Sequence, residues 1–531
     1  MLSIFKKTGY LTKTYLLKDW LLLIGTFLSI VFLVLGVATI FPTIYDSESS
    51  RIAMIETLKQ PAMKAIIGVY HGDNSIGSFF SSVMLHWTAI LGIIFAIIIA
   101  IKNTRNQEES NLSELLLSKS IGRLALPMAS FLELFILFSA IFITNFIGLN
   151  LLNIDGLSTE SAFLFSISTS LIALLFGTIT IFFAQLANSS SGVNIMSYVL
   201  FLLSYIVVIL GTQAKDNKLL WYSPLGWLSN LSLTDKNYYL PIILMIVSTI
   251  ILISLSLFLQ LHRDINSGLL PSSKGKDHAS KLLAGFSSLN FKNQTTSMSI
   301  WIIVIFIAGL TYGSIFKDIN KIVADNPYLT QIIAAQKNMM ITNFSFMILG
   351  IFAIISLIPG LIHIYKIKND ETKGYLEIVH SKRVSRTKIF ITYTGIGLLD
   401  TVLTFISGTL GLYIAQYQSL NNPISLNHFV NASSSFLSII IFVISLGIIL
   451  VTFVPKLTNL IWIVLYYGFF VIYFGKLFNM PNWAIDISLF GLINKNWTSP
   501  LETTYIITFV ISTVILIILS LQKYKKRDLV Y

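Results

Sequence analysis

Long, continuous apolar runs are the feature of this sequence that most constrains its fold. A helix needs about 20 apolar residues to cross the roughly 30 Å hydrocarbon core of a bilayer. The runs do not alternate between polar and apolar residues, so they predict helices and not the strands of a membrane barrel. The sequence therefore predicts an all-α polytopic membrane protein with twelve transmembrane helices. The predicted spans lie near residues 20–42, 83–101, 124–147, 162–186, 194–212, 240–261, 299–316, 341–365, 389–414, 431–454, 458–477 and 503–521.

Charge supports this class and orients the chain. Only 11% of the 531 residues are charged, whereas soluble proteins carry about 25%. The net charge of +12 does not indicate a nucleic-acid partner, because most of the 36 lysines and arginines fall in alternate connections. That asymmetry follows the positive-inside rule and predicts that both termini lie in the cytosol. The protein is expected in the plasma membrane. The first span is predicted to be a retained anchor, because no cleavage site follows it.

A charged segment between the second and third spans is repeated in the second part of the chain. EESNLSELLLSKSIGR, Glu108 to Arg123, returns 263 positions later as ETKGYLEIVHSKRVSR, Glu371 to Arg386. LHRDI, from Leu261, returns as YKKRDL, from Tyr524. The repetition predicts two parallel six-helix halves with the same topology, related by a pseudo-two-fold axis along the membrane normal. The predicted halves are residues 1–265 and 285–531, joined by a cytosolic linker at 266–284.

Residues 1–19 and 278–298 precede the first span of each half and mix apolar residues with lysines. They are predicted either to lie along the cytosolic membrane surface as elbow segments or to be plain basic flanks, and their recurrence before both halves favours elbows.

The repeated segment has two interpretations. It is either a capped loop helix that obeys the positive-inside rule or a docking element for another protein, and its duplication favours docking. Leu112, Leu115 and Leu116, with Leu376 and Ile378 in the second copy, are expected to form the apolar side of a short membrane-surface helix. Its charged residues are expected to face the cytosol, with acids first and cations last, as the helix dipole favours. The predicted docking residues are Glu108, Glu109, Glu114, Lys119, Arg123, Glu371, Glu377, Lys382 and Arg386.

The sequence contains no motif for hydrolysis. It has no G-x-x-x-x-G-K-[ST] phosphate loop, no H-E-x-x-H and no G-x-S-x-G. It has no cysteine and so no thiolate metal site. The chain is predicted not to be an enzyme, and any uphill transport takes its energy from an ion gradient or a separate subunit.

Three segments together resemble the type-2 ABC exporter permeases, in particular the fused permeases grouped as exporters of polyketide antibiotics. The repeated segment is similar to their E-x-x-G-x-x-E-L-L-L-x-x-P-V-S-R. RDINSGLLP, from Arg263, resembles R-D-L-G-x-G-L-L-P, and WYSPLGW, from Trp221, resembles W-x-S-P-x-G-W. There are departures: Asn111 replaces the glycine, Ser120 and Arg383 replace the proline, and Ile121-Gly122 replaces Val-Ser in the first copy. The second half lacks the Trp and Pro of the aromatic motif.

The resemblance implies a transmembrane subunit that works with two copies of a separate ATP-binding subunit. Coupling helices near 105–123 and 368–386 would dock into those subunits. ATP and Mg would be bound by the partner, and no cofactor by this chain. The implied substrate is a hydrophobic or amphipathic compound such as an antibiotic, a lipid or a peptide.

Acids within the spans support an alternative. Glu133 and Asp400 are the clearest, and His86 is a weaker candidate for the substrate path. Such acids bind a cationic substrate, couple transport to protons, or make a structural hydrogen bond between helices. If they couple to protons, the chain is an ion-gradient-driven secondary transporter of six plus six helices. A membrane sensor is a third possibility, and a membrane-embedded enzyme is the least favoured.

Overall fold

A computed structural model describes most of the chain. The described residues are 4–44, 51–52, 55, 75–213, 218–231, 239–264, 267–270, 278–280, 283, 285–314, 316, 340–420, 423–475, 480–494 and 503–528. These residues form helices and connecting turns and include no strand. The chain divides into two compact units, unit 1 (Met1–Gly275) and unit 2 (Lys276–Tyr531). The boundary falls inside the segment predicted as a linker.

Unit 1 begins with a short helix and continues with membrane-length helices joined by brief connections. A π-helical turn, Phe32–Gly36, interrupts its first span between α2 and α3. Its helices are α1 (Thr8–Lys18), α2 (Trp20–Val31), α3 (Val37–Ile44), α4 (Ile76–Lys102), α5 (Arg105–Glu109), α6 (Leu112–Leu117), α7 (Ala125–Leu151), α8 (Thr159–Leu186), α9 (Ser190–Gln213), α10 (Pro224–Ser229) and α11 (Leu240–His262).

Unit 2 repeats this order with fewer short elements at its start. Its helices are α12 (Phe286–Ser314), α13 (Met340–Thr372), α14 (Tyr375–His380), α15 (Arg386–Ser419), α16 (Leu426–Phe453), α17 (Leu460–Phe474), α18 (Asn482–Ile487), α19 (Gly491–Asn494) and α20 (Thr503–Lys526).

All twelve predicted spans are confirmed as helices. Twelve helices among the described residues are long and apolar enough to cross a membrane, six in each unit. The protein is therefore an all-α, multi-pass membrane protein. The elbow predicted before the seventh span is not a separate helix. Its described helical part continues directly into that span as α12. In unit 1 the elbow is a separate helix, α1, whose C-cap residue is Asp19. The Asp19 carboxylate accepts a hydrogen bond from Asn103.

Each unit packs around a largely buried helix. In unit 1 this helix is α8, which contacts α4, α7, α9 and α11. In unit 2, α13 packs against α15, α16 and α17, while α12 lies along α15. Small residues permit the α12–α15 approach, since a Cβ on Gly309 would come within 2.4 Å of the Gly408 carbonyl. Close backbone approach at glycine is a usual way to join helices in a membrane, where lipid removes most of the hydrophobic driving force.

The first residues of the predicted linker are part of unit 1. Leu269 N and Leu270 N donate to the carbonyls of Gln185 and Leu186, at 3.2 and 2.9 Å. Gly268 lies so close to the end of α8 that a Cβ there would meet the Leu186 carbonyl at 2.4 Å. Gly268, Leu269 and Leu270 of the R-D-x-x-x-G-L-L segment are therefore docked on the end of α8.

The aromatic segment of unit 1 forms a capped helix near the last span. Ser223 caps α10, accepting from Gly226 N at 3.3 Å, and Pro224 starts the helix. A Cβ on Gly226 would meet the Leu220 carbonyl at 2.1 Å, and one on Gly491 would meet the Ile485 carbonyl at 2.0 Å. Gly491 therefore repeats the role of Gly226, although the second half lacks the Trp and Pro of this motif.

Candidate functional site

In each unit the repeated segment forms a short helix at one end of that unit's own bundle, and we call this end the coupling face of the unit. In unit 1 the helix is α6, and it starts after Asn111, whose φ is 57°. In unit 2 the helix is α14, and it starts after Gly374, whose φ is 73°. Both residues are in the left-handed region, which glycine enters freely and which asparagine tolerates better than most residues. Asn111 can therefore replace the glycine of the motif without altering the turn.

The sequence predicts that the apolar residues of these helices form a single side that faces the membrane. The structure shows that they do not. Leu376 is 2% exposed and packs into unit 2, whereas Leu115 is 60% exposed and Ile378, its equivalent, is 65% exposed. Each helix thus turns some apolar residues into its own bundle and presents others outward, namely Leu115 in unit 1 and Tyr375 with Ile378 in unit 2. The charged side chains of Glu114, Lys119, Glu377 and Lys382 are also exposed.

In unit 1 a buried ion pair joins the coupling face to the end of the last span. Arg263 donates from Nη1 to Glu108 Oε2 at 2.9 Å and from Nη2 to Glu108 Oε1. Arg105 donates to the same carboxylate. The side chains of all three are nearly inaccessible, with Glu108 8%, Arg105 0% and Arg263 4% exposed. Buried charges of this kind are tolerated only when paired and hydrogen-bonded.

Further acceptors hold Arg263 in place. Its Nε donates to Gln185 Oε1 at 2.7 Å, and its Nη1 donates to the Ser267 carbonyl at 2.8 Å. Arg123 donates to the Arg263 carbonyl. We call this cluster, Glu108 with Arg105 and Arg263, the first clamp. It connects the coupling segment with the ends of α8 and α11.

Unit 2 contains the equivalent arrangement, the second clamp, formed by Glu371 and Arg527. Arg527 Nη2 donates to both Glu371 oxygens, at 2.6 and 2.7 Å, and Nη1 donates to the Val451 carbonyl at 2.8 Å. Its guanidinium lies 4.9 Å from the Tyr524 ring centre. Arg386 donates to the Arg527 carbonyl at 2.5 Å. Two segments are repeated in the sequence, the acidic segment and the R-D segment. In each unit the glutamate of the first binds the arginine of the second, so the two sequence repeats together form one contact that occurs twice.

These contacts divide the predicted docking residues into two groups. Glu108 and Glu371 point into their own units, and Arg123 and Arg386 bind carbonyls there. Glu109 is exposed and accepts from Ser190 N and Oγ, at 2.7 and 2.6 Å, at the start of α9. A carboxylate at a helix N-terminus is favoured by the helix dipole. The side chains most accessible to a partner are therefore Glu114, Lys119, Glu377 and Lys382, together with Leu115 and Ile378.

A second buried network lies beside the first clamp and centres on Asn103. The Asn103 NH₂ donates to Asp19 Oδ2 and to Glu133 Oε2, both at 2.6 Å. Lys102 Nζ lies 2.6 Å from Asp19 Oδ1. Asn103 and Glu108 line the same small cavity of about 10 Å³. Glu133, predicted from sequence as an intramembrane acid, thus lies near the coupling face, about 12 Å along α7 from its start.

The network continues to the elbow helix. Gln107 Nε2 donates to Asn103 Oδ1 at 2.9 Å, and Tyr15 OH donates to Gln107 Oε1 at 2.8 Å. Burial raises the pKa of the Tyr15 hydroxyl well above its ordinary value, so this group remains a donor. In unit 2, Tyr393 OH donates to Asp370 Oδ2 at 2.5 Å. Elbow, coupling segment and third span are therefore joined in unit 1 by side chains of five residues.

The other two candidates have different surroundings. Asp400 lies about 21 Å along α15 from its start, in the middle part of this 34-residue helix, and its Oδ2 is 2.9 Å from His363 Nε2. Both side chains are buried, at 0% and 3% exposure of the residue. His86 Nε2 is 3.0 Å from Ser229 Oγ, which links α4 to α10. Sequence reasoning named Asp400 and His86 but missed both partners, because each lies on another helix. Among the described residues, no group of three acidic or histidine side chains could hold a metal ion.

The packing around Gly122 explains why the first copy of the repeated segment has glycine where the second copy has serine. At its place in unit 2, Ser385 caps α15 by accepting from Lys388 N at 3.2 Å. In unit 1, Gly122 N donates to the Lys6 carbonyl at 3.0 Å, and a Cβ there would meet the Ile4 carbonyl at 2.0 Å. The start of the chain therefore occupies the space that a serine side chain needs.

Comparison with known proteins agrees with this architecture. A family model described as the multidrug efflux system permease Rv1217c, C-terminal domain, matches residues 22–259 and 283–525. The chain belongs to this family. The two matched segments fall in unit 1 and unit 2 respectively, and both clamp arginines lie just beyond the matched ranges.

A curated relative extends over nearly the whole chain. The chain is 23% identical, across 99% of its own length and 95% of the relative's, to the multidrug efflux system permease protein Rv1217c of Mycobacterium tuberculosis (strain ATCC 25618 / H37Rv). Membership of the efflux permease family makes this chain a transporter component.

Proposed function

We propose that the chain is the transmembrane subunit of an ATP-driven ABC exporter, of the fused type-2 form. The observation that carries this proposal is the pair of short helices α6 and α14. Each starts at a left-handed residue, presents an exposed apolar residue at Leu115 or Ile378, and is tied to its bundle by a buried clamp. A single exposed apolar residue is ordinary, but its recurrence at equivalent positions of both units, beside exposed charges, supports a docking role for each helix.

The proposed partners are two copies of an ATP-binding subunit, one for each short helix, which bind ATP and Mg. The chain itself binds no cofactor, is not an enzyme, and has no nucleic-acid partner. The coupling face is cytosolic in this proposal, with both termini on that side and the protein in the plasma membrane. The lysine and arginine distribution supports this orientation.

The clamps give a physical route for coupling. A force on α6 acts through Glu108 on Arg263, which is bonded to Gln185 on α8 and lies at the end of α11. A force on α14 acts through Glu371 on Arg527, which is bonded to the Val451 carbonyl on α16 and follows α20. Movement of the ATP-binding subunits is thereby passed to the spans, and a hydrophobic or amphipathic compound, such as an antibiotic, a lipid or a peptide, moves outward.

The decisive test is co-expression and co-purification with an ABC-type ATP-binding subunit. We expect a stable complex whose ATP hydrolysis is coupled to transport in vesicles. Charge reversal by Glu114→Lys with Glu377→Lys, or Leu115→Asp with Ile378→Asp, should abolish stimulated hydrolysis while the variants still fold, because these side chains are exposed. Lys456→Glu, an exposed charge in the turn between α16 and α17, is the matched control. Normal coupled hydrolysis in both double variants would rule out the docking role.

One observation favours the alternative function, an ion-gradient-driven secondary transporter. The pair of His363 and Asp400 is buried within two membrane-length helices, α13 and α15, and titratable groups inside such helices often serve proton coupling. Transport by the purified chain alone, driven by a pH gradient and lost in Asp400→Asn, would favour a secondary transporter. We favour the ATP-driven reading because the pair has no equivalent in unit 1, where Ala100 and Leu137 occupy the corresponding positions.

A further inference from the structure

Unit 2 contains an open groove between α15 and α16, on the half of these helices remote from the coupling face. It has a volume of about 340 Å³ and is lined by eleven residues, none of them charged. Its walls include Phe405, Thr409 and Tyr413 on α15, and Phe429 and Val430 on α16. Ligand sites commonly have volumes of about 300 to 1,000 Å³ and are mostly apolar with a few polar groups.

The corresponding place in unit 1 is filled by aromatic rings. Phe142, Phe146 and Phe163 contact one another there, with ring centres 5.6 Å apart for Phe142 and Phe163 and 5.8 Å apart for Phe146 and Phe163. The contacts are edge-to-face, an arrangement that stabilises aromatic pairs beyond simple burial. In unit 1 the space between α7 and α8, which correspond to α15 and α16, therefore accommodates aromatic rings.

The positions correspond residue by residue. Counted from Arg123 and Arg386, Phe142 aligns with Phe405 and Phe146 with Thr409. Counted back from the residues that end α8 and α16, Ala187 and Val454, Phe163 aligns with Val430. Phe405, Thr409 and Val430 all line the groove. Unit 2 has thus kept one of three rings, and the replacement of the other two leaves the space open.

A polar atom in the groove also lacks a partner. Ser433 Oγ is buried and makes no hydrogen bond to any residue that the structure describes. By contrast, the hydroxyls of Thr409 and Ser434, also in the lining, donate to carbonyls of their own helices at 2.9 and 2.8 Å. A buried hydroxyl without a partner is a favourable point of attachment for a ligand that carries one hydrogen-bonding group.

We propose that the groove between α15 and α16 binds a neutral, ring-containing hydrophobic compound, with Ser433 as its hydrogen-bonding anchor. A phospholipid fits less well, because the lining offers no lysine or arginine to a phosphate group. An aromatic occupant makes the contacts in unit 2 that Phe146 and Phe163 make in unit 1. That this compound is an exported substrate rests on the proposed function; that the groove is a binding site does not.

The test uses the full-length chain in phospholipid nanodiscs, without any ATP-binding subunit. The probe is 3-(trifluoromethyl)-3-phenyldiazirine, a neutral aromatic photolabel, with N-phenyl-1-naphthylamine as competitor and mass spectrometry to locate the labelled residues. We expect saturable, competable labelling within 405–413 and 426–437, reduced at least tenfold in Thr409→Phe with Val430→Phe. The reciprocal change, Phe146→Thr with Phe163→Val, should create labelling between α7 and α8. Ser433→Ala should weaken competition by N-phenyl-1-naphthylamine about two- to tenfold, the size of one neutral hydrogen bond.

Two results would overturn the proposal. One is labelling that does not saturate and is equal in the wild type and the filled variant. The other is a phospholipid that co-purifies with the wild type, is absent from the filled variant, and is not displaced by N-phenyl-1-naphthylamine. Thr409→Leu, a smaller filling, covers the case in which the double variant does not fold. Because no ATP-binding subunit is present, failure of the docking proposal leaves this measurement unaffected, and failure here leaves docking intact.

Discussion

Glu371 and Arg527 lie 156 positions apart in the chain and are joined by two hydrogen bonds of 2.6 and 2.7 Å. Glu108 and Arg263 repeat this contact in unit 1 across 155 positions. The contact is therefore a property of the repeated fold. It fixes the segment before each short helix to the helix that ends the unit.

Breaking one partner of the second clamp should be costlier than removing both. Glu371→Gln leaves Arg527 buried without its counter-ion, and we expect a loss of about 3 kcal/mol in stability, since unpaired buried charges typically cost 3 to 5 kcal/mol. Glu371→Gln with Arg527→Met should recover part of that loss. The measurement is the melting temperature in detergent, with the exposed Lys526→Met as control. Strictly additive losses in the double variant would show that the two residues do not act as a pair.

The network around Asn103 should depend on its amide NH₂. Asn103→Leu leaves Asp19 and Glu133 facing each other without the donor they share, and the melting temperature should fall. Adding Glu133→Gln to that variant replaces one acceptor with an amide that can donate, so stability should partly return. If the double variant melts no higher than Asn103→Leu alone, Glu133 does not interact with Asp19 through this position.

The turn before each short helix should respond to substitution according to backbone conformation alone. Gly374→Ala places a Cβ in the left-handed region and should cost about 1 kcal/mol, although nothing lies within 4 Å of the new atom. Gly374→Asn should cost less, and Asn111→Gly should be neutral or slightly stabilising. Melting temperatures of the three variants check this order. Equal effects of Ala and Asn at residue 374 would show that φ does not decide the choice of residue there.

Gly122→Ser should destabilise unit 1 even though serine is the residue found at the equivalent place in unit 2. The new Cβ would meet the Ile4 carbonyl at 2.0 Å and displace the start of the chain from the coupling face. Deleting residues 1–5 should relieve the clash, so that serine becomes tolerated in the shortened chain. Protease sensitivity near the N-terminus and the melting temperature are the two measurements. Serine that is harmless in the full-length chain would contradict the close packing seen here.

Acid should loosen the end of α14 through His380. Burial and the nearby Arg386 lower the pKa of His380, with Glu371 acting in the opposite direction. The folded state then binds fewer protons than the unfolded state below the ordinary value of about 6.5, so stability falls as pH decreases through that value and is unaffected above it. His380→Asn should flatten the melting temperature between pH 7 and 5.5.

A steeper slope in His380→Asn than in the wild type would reverse the sign of this linkage. It would mean that the protonated form is the one favoured by the folded state, with Glu371 outweighing Arg386 and burial.

The membrane-spanning helices could be predicted from sequence because lipid leaves few alternatives. A run of about 20 apolar residues in a bilayer must satisfy its backbone internally, and a helix does so. The repeat was visible for a similar reason: Glu108, Arg123 and Arg263 all return near one offset, as Glu371, Arg386 and Arg527.

The pairing of those residues was not predictable, because periodicity within a helix says nothing about a contact across 155 positions. Glu108 was therefore expected on the surface, whereas it is buried against Arg105 and Arg263. The division of apolar residues between the bundle and the surface was missed for the same reason. A six-residue helix such as α14 is too short for its pattern to show that Leu376 points inward and Ile378 outward.

The docked segment Ser267–Leu270 indicates where this chain can be divided into two polypeptides. A gene split after residue 264 would take the Ser267 carbonyl away from Arg263 and the Leu269 and Leu270 amides away from α8. A split within 271–277 keeps all of these bonds on the first polypeptide. Two co-expressed half-length proteins cut there should each retain a complete clamp. A single gene fission at this position would therefore convert the single-chain form into an exporter made of two half-size subunits.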